Sequence, residues 1–462
     1  MFRKSFVVLC AVALLSQPSL SFAFEKIDFD QGVDVRQTLQ SVKSVDASGI
    51  AAQDSKSILI PKDAKMSDGS DVRMTRNKGA AEWTIMVFIN GKNNLESYGA
   101  KDVNEMEVVG SDENTNVVVE LGAMDVGAKR MLVAKDDKPG EVTSQSQDIG
   151  KVDMGDWKHL VDFGQWAKKT YPARHYMLVV WNHGSGWDKK KDEVGARGIS
   201  YDDETGNHIT TQQLGQALAA MGGVDVYGSD ACLMQMAEVS YELKDYAGVI
   251  VGSEETEPGD GWDYTGFLKK LAGKPGASAE DVGKAVMDSY NEYYGNAGQG
   301  GTQSYVRSQM FEDFVGAVKA WTSAVMAAGE KDVVKAARKS VQSYAVSDNV
   351  DLIHFVNLIG GKTQNGSVKS SGQALVKFVQ EKLVAGNAVT GSYGNSGGIA
   401  VYLPKYSVSS AYADLAWAKA SSWGDFAQYV LKAYKEGAAS DDEDNGGSGD
   451  DSDWGDWSAK KL

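Results

Sequence analysis

Cysteine is nearly absent: the 462-residue chain has two, Cys10 and Cys232. Cys10 falls in the apolar run from Ser5 to Leu15 that follows Met1-Phe2-Arg3-Lys4 and precedes Ser21-Phe22-Ala23. A basic start, an apolar stretch and a small-x-small site mark a cleavable export signal, with cleavage expected after Ala23. Cys10 lies inside the apolar stretch rather than behind it, which argues against a lipid anchor. The mature chain then keeps one cysteine, so no disulfide within it holds the fold. No later segment is long and apolar enough to span a bilayer. Basic charge is not in excess either. Acids outnumber bases 63 to 47, giving a net charge of −16, which argues against nucleic acid as a partner. The five histidines and two cysteines have no zinc-ligand spacing, so no metal site is expected from them. No internal repeat is evident.

What remains divides into segments. Residues 1–23 are the export signal. Residues 24–80 are polar, with one short apolar run at Ile58-Leu59-Ile60, and end in the basic cluster Arg73 to Lys78; they read as a leader or pro-segment. An ordered core spans 81–270. Trp83 to Ile89, Val117 to Leu121, Met131 to Ala134, Tyr176 to Trp181, Val224 to Tyr227 and Gly248 to Gly252 read as strands, several apolar throughout, as strands covered on both faces are. Leu95 to Val109, the stretch from Trp157 to Trp166, and Thr211 to Met221 carry helical spacing. Alternating strands and helices predict a mostly parallel sheet covered on both faces, with ligands bound beyond the carboxyl ends of the strands. Residues 271–438 read as largely helical with one late strand near Gly397 to Leu403, and 439–462 as an acidic disordered tail. The tail's spacing fits no EF-hand loop, although calcium binding there stays open.

Two strand ends carry the chemistry. The Tyr176 strand runs into Asn182-His183-Gly184-Ser185-Gly186-Trp187, and the Val224 strand into Gly228-Ser229-Asp230-Ala231-Cys232-Leu233. Apolar residues from Leu233 to Val239 recur at helical spacing, which predicts Cys232 at a helix N-terminus, where the dipole favours the thiolate. The bland alternative is a small buried hydrophobe. A third strand end leads into the acid-rich loop Glu254 to Trp262.

These segments, with Trp83 to Glu96 and Glu254 to Tyr264, resemble clostripain-type cysteine peptidases, caspase-fold enzymes related to gingipains and legumains. The resemblance covers Trp83 to Tyr264 well and touches Asn349 to Leu352 and the Gly397-to-Pro404 stretch weakly. It implies a caspase-like α/β/α sandwich and hydrolysis of peptide bonds after Arg or Lys. Cys232 matches the nucleophile and His183 the catalytic histidine of a dyad. The N–H groups of Gly184 and Cys232 are placed to form an oxyanion hole, and Gly184 lacks a Cβ that would hinder substrate. By the same resemblance Asp230 lines the pocket for the basic side chain, where a carboxylate favours the guanidinium fork; Asp260 is a second candidate. Each has a plain alternative, as a structural or turn aspartate, and the acids from Glu254 to Glu257 have one as a surface loop. Lys189, Lys190, Lys191 and Arg197, in the charged loop between the two catalytic strands, are candidate self-cleavage sites of a zymogen, or plain solvated charge. The expected partners are polypeptides, with no membrane anchor, no certain cofactor and a monomeric chain, exported to the periplasm or the medium. The alternatives are a non-enzymatic binding module on the same fold and a cysteine amidase or transpeptidase acting on cell-wall peptides.

Overall fold

The structure is a computed structural model that describes residues 81–187 and 198–436. The export signal, the leader, the loop bearing Lys189, Lys190, Lys191 and Arg197, and the acidic tail lie outside the described residues.

In chain order the elements are β1 (Ala81–Gly91), α1 (Glu96–Glu107), β2 (Thr115–Ala123), β3 (Gly127–Leu132), β4 (Ser146–Gly150), α2 (Trp157–Thr170), β5 (Ala173–Trp181), β6 (Ile199–Asp202), β7 (Asn207–Ile209), α3 (Thr211–Ala220) and β8 (Val224–Asp230). Then come α4 (Ala237–Leu243), β9 (Ala247–Gly252), α5 (Tyr264–Leu271), α6 (Ala279–Ala297), β10 (Gly301–Arg307), α7 (Phe311–Ala328) and α8 (Lys331–Ser340). The last are β11 (Asn349–Asp351), α9 (Leu352–Lys362), α10 (Gly366–Phe378), β12 (Val384–Thr390), β13 (Ala400–Tyr402), α11 (Ala416–Ser421) and α12 (Trp423–Glu436).

Among the described residues the central sheet has nine strands in the order β12-β10-β9-β8-β5-β1-β2-β3-β4. The five inner strands, β9-β8-β5-β1-β2, are parallel. An antiparallel pair closes each edge. The uniform apolarity of the inner strands has a direct cause. Along β1, Ile85, Val87 and Ile89 pack into one core while Met86 and Phe88 pack into the other. Along β5, Met177 and Val179 alternate with Leu178 and Val180 in the same way. Helices α1, α5 and α6 cover the first face; α2, α3, α4 and the C-terminal helices cover the second. Fully burying each such side chain contributes about 1.5–3 kcal/mol, so the two-sided strands are the stable centre of the molecule. Helix starts follow their side chains: Thr210 and Gln213 form a capping box on α3, and Ser278 and Asp281 one on α6.

The C-terminal region is less purely helical than its pattern predicts. β10 lies within the stretch read as helix, and β10 and β12 extend the central sheet. Thr302, Gln303 and Ser304 of β10 are polar yet buried, so the strand has no hydrophobic alternation to read. The late strand β13 pairs with β11 in a separate two-stranded sheet instead of joining the central one.

Candidate active site

The chain passes from β1 to β2 on one side of β1, then to β5, β8 and β9 on the other. The reversal lies between β1 and β5, and the carboxyl ends there form the crevice in which such sheets hold ligands. Asn94 follows β1, His183 follows β5, Cys232 follows β8 and the acid loop follows β9. Four consecutive inner strands therefore deliver their end residues to one edge.

β5 and β8 run in register, Trp181 opposite Asp230, and the Asn182 N–H donates to the Asp230 carbonyl at 3.2 Å. His183 and Cys232 each follow these neighbouring ends by two residues. The two turns touch: a Cβ on Gly184 would lie 2.4 Å from the Cys232 carbonyl oxygen. The glycine is thus required by the chain's own backbone, a different reason from clearance for substrate. The bridge from Gly184 to Ile199 is carried by the Ser185 N–H to the Gly198 oxygen at 3.1 Å, not by the Gly184 N–H. Ser185 Oγ also meets the Tyr201 hydroxyl at 2.6 Å. The histidine turn is therefore anchored on the β6 hairpin.

The imidazole has a partner that the sequence reading missed. His183 Nε2 lies 2.6 Å from Asn94 Oδ1. Burial holds the imidazole below its ordinary pKa, so it is neutral at pH 7. A polar cluster directly after an apolar strand, Asn90-Gly91-Lys92-Asn93-Asn94, was the available signal.

Cys232 does not sit at a helix N-terminus. Leu233 takes φ 64°, in the left-handed region, and turns the chain out of β8. Residues 234–236 then continue outside any helix, with the Leu233 N–H donating to the Glu255 oxygen at 3.1 Å, the Gln235 N–H to the Ser253 oxygen at 2.9 Å and the Met236 N–H to the Met234 oxygen at 2.9 Å. Helix α4 begins only at Ala237. Leu233, Met234 and Met236 are buried, and burial of a non-helical segment imitated helical spacing. The thiol accordingly lacks the dipole's help. Burial, then the Glu257 carboxylate, push it up to about 12, against the Glu257 N–H that donates to Sγ at 3.3 Å. The resting pair is a neutral thiol beside a neutral imidazole.

The acid loop is not a surface loop: Glu254, Glu255 and Glu257 are all buried. Asp230 is 4 % exposed; its Oδ2 accepts from the Tyr264 hydroxyl at 2.8 Å and the Trp262 N–H at 3.4 Å. Gly261, at φ 61°, passes so close that a Cβ would lie 3.0 Å from Asp230 Oδ1. Burial raises the Asp230 carboxyl to about 6 and raises Glu257 well above the carboxylate range. Glu257 keeps the proton and hydrogen-bonds to Asp230. The Tyr290 hydroxyl, also buried without a hydrogen-bond partner, feels Glu257, Cys232 and Asp230. Asp260 stands apart from this pair. Its Oδ1 holds Lys101 Nζ at 2.5 Å and its Oδ2 accepts from the Tyr293 hydroxyl at 3.0 Å, so its charge is already matched. Among the described residues no cluster of three or more His, Cys, Asp or Glu side chains is placed to hold a metal ion, and no helix is long and apolar enough to cross a membrane.

A parallel-centred α/β/α sandwich with a cysteine and a histidine on adjoining strand ends defines the caspase-like class of fold. Within it, a model of the clostripain family of peptidases matches residues 87–443, and the chain belongs to that family. Clostripain of Hathewaya histolytica is 25 % identical over 261 residues, covering 48 % of each chain, so this chain spans about half the length of that curated relative. A secreted C11 cysteine protease of Bacteroides thetaiotaomicron, solved with an irreversible peptide inhibitor, superposes with a TM-score of 0.59 at 22 % identity, over 75 % of this chain and 100 % of the other. An inactive zymogen C11 protease of Parabacteroides distasonis gives 0.56 at 19 % identity, over 74 % and 98 %.

Proposed function

We propose that the protein is an exported cysteine endopeptidase that cuts after Arg or Lys. The observation that carries this is the convergence, at adjacent strand ends, of His183, Cys232 and the buried Asp230–Glu257 carboxyl pair.

In this reading the imidazole takes the thiol proton as Sγ attacks the scissile carbonyl carbon. The N–H groups of Gly184 and Cys232 receive the developing oxyanion. The imidazolium returns the proton to the departing amine, leaving a thioester. Water then attacks the thioester, its proton passing to His183, and the thiolate leaves and is reprotonated. A neutral resting pair suits this sequence, because the proton moves only as the carbon–sulfur bond forms. A guanidinium or ammonium entering beside Asp230 would favour loss of the Glu257 proton to solvent and pair with both carboxylates, in place of a buried pair that shares one proton. Arg offers the better fork for two carboxylates.

Export rests on the N-terminal signal pattern and on the secreted relative of Bacteroides thetaiotaomicron. Self-activation rests on the bases of the 188–197 loop and on the zymogen relative. Paired reporter peptides ending in Arg, Lys, Asp or Ala, with and without prior thiol alkylation, test the whole reading. Cleavage of Arg and Lys reporters that disappears on alkylation is expected. Equal cleavage of all four, or hydrolysis that survives alkylation, would overturn it.

A further inference from the structure

The imidazole can serve as base toward Cys232 only if one ring nitrogen is unprotonated and the ring is held still. Four asparagines arrange this at the carboxyl ends of β1 and β5. The Asn182 side chain donates to the Asn90 carbonyl at 2.5 Å, and its Oδ1 accepts from the Tyr201 N–H at 2.7 Å. The side-chain amides of Asn90 and Asn93 both donate to the Tyr201 carbonyl, at 2.9 and 2.8 Å. Asn93 Oδ1 accepts from the Leu95 N–H at 2.9 Å, which fixes the backbone on either side of Asn94. The neighbours of Asn94 and of His183 are thus tied to the backbone of one residue, Tyr201. Across the gap between them runs the 2.6 Å contact from His183 Nε2 to Asn94 Oδ1.

We propose that Asn94 is a positioning residue for His183: its Oδ1 accepts the Nε2–H and fixes the tautomer in which Nδ1 is the base toward Cys232. This rests on the Cys232–His183 peptidase reading and goes beyond the dyad. An amide oxygen can only accept, so Nε2 must carry the hydrogen in the neutral ring, and the lone pair falls on Nδ1. Among the described residues Nε2 has this one hydrogen-bond partner and Nδ1 has none.

A neutral partner has a second consequence. A carboxylate here would stabilise the imidazolium and raise the histidine; the amide orients the ring without adding charge. The titratable groups on the segments that adjoin the histidine turn are Tyr201 on the hairpin, Cys232 and Asp230 at the end of β8, Glu255 and Glu257 on the next loop, and Lys92, which is tied to Glu204 and Asp202. None of them bonds to the imidazole, and burial is the cause of its lowered basicity.

Three variants and one spectrum test the proposal. In Asn94→Ala, kcat on an Arg reporter is expected to fall on the order of 10- to 100-fold, with KM and Tm near wild type. In Asn94→Asp most of kcat returns, and the acid limb of the kcat/KM–pH profile moves to higher pH, since a carboxylate favours the protonated ring. Asn94→Ser separates the loss of an acceptor from the loss of bulk. Nitrogen-15 spectra of the ring should show Nε2–H in the wild type and a tautomer mixture in Asn94→Ala. A wild-type kcat in Asn94→Ala, an unmoved acid limb in Asn94→Asp, or a wild-type ring protonated at Nδ1 would each overturn it. Should the wild type cleave no reporter, the peptidase reading fails on its own, and the ring spectra still decide the role of Asn94.

Discussion

The two halves of the site are built from opposite materials. The His183 side is a frame of neutral amides and hydroxyls, partly open to solvent, that controls orientation. The Cys232 side is a buried set of carboxyl groups, Asp230, Glu255 and Glu257, that controls charge. Neutral hydrogen bonds fix geometry at little electrostatic cost. Buried acids disfavour any further negative charge, the thiolate included, and become favourable only when a cation arrives. The difference teaches that orienting a base and selecting a cation are separate tasks here, served by different strand ends.

Cys232→Ala should break both halves at once. Hydrolysis of Arg reporters is expected to fall roughly 10⁴-fold or more, leaving only what binding and the oxyanion donors supply. Steady-state rates beside the wild type check this.

Glu257→Gln separates the halves. It keeps an amide that can donate to Asp230 but removes the carboxyl that becomes a negative charge beside Sγ when it ionises. Preference for Arg over Ala reporters should fall about 10- to 100-fold. Alkylation of Cys232 should meanwhile become faster at alkaline pH, where an ionised Glu257 in the wild type opposes the thiolate and Gln does not. A slower alkylation would contradict the charge account of this side.

Gly228→Ala attacks the acid side through its packing. A Cβ there would lie 2.5 Å from Trp262 Cη2, part of a rigid indole whose Nε1–H donates to Glu257 at 3.5 Å and whose backbone N–H donates to Asp230. About 1–3 kcal/mol of stability should be lost, visible as a lower Tm. The Arg preference should weaken, while the ring spectrum of His183 stays as in the wild type.

Glu254→Gln gives the smallest effect and concerns pH. Glu254 and Asp351 form a second buried carboxyl pair, with the Gly398 N–H donating to Glu254 at 3.0 Å. Burial raises Glu254 well above its ordinary 4.5 and Asp351 from 3.8 to about 6. The folded chain therefore keeps protons that the unfolded chain has released. This stabilisation is complete below about pH 4 and is lost as pH rises through 6 and beyond. Gln in place of Glu254 imitates the protonated acid, so the decline in Tm from pH 5 to pH 8 should flatten. A steeper decline would show that the pair is not the group being titrated.

Much of the centre was legible because its physics is local and repetitive. Apolar residues on both faces mark the inner strands, and chemistry-bearing residues directly after them mark the site edge. The edge strands β10 and β12 were not legible. Thr302, Gln303 and Ser304 are buried by contacts that no periodicity announces. The stretch after Cys232 misled for a related reason: Leu233, Met234 and Met236 are apolar because the core needs them, in an irregular turn as readily as in a helix.

By itself the sequence determined that a two-faced α/β sheet would form, and that one histidine and one cysteine would follow strand ends of it. Hydrophobic pattern and chain order suffice for that. The tertiary structure alone decided that the thiol lies among buried carboxyls instead of at a helix end, that Asp260 is already paired with Lys101, and that Asn94 reaches His183. Those outcomes depend on which distant segments share a few ångströms of low-dielectric space, and separation along the chain does not encode that distance.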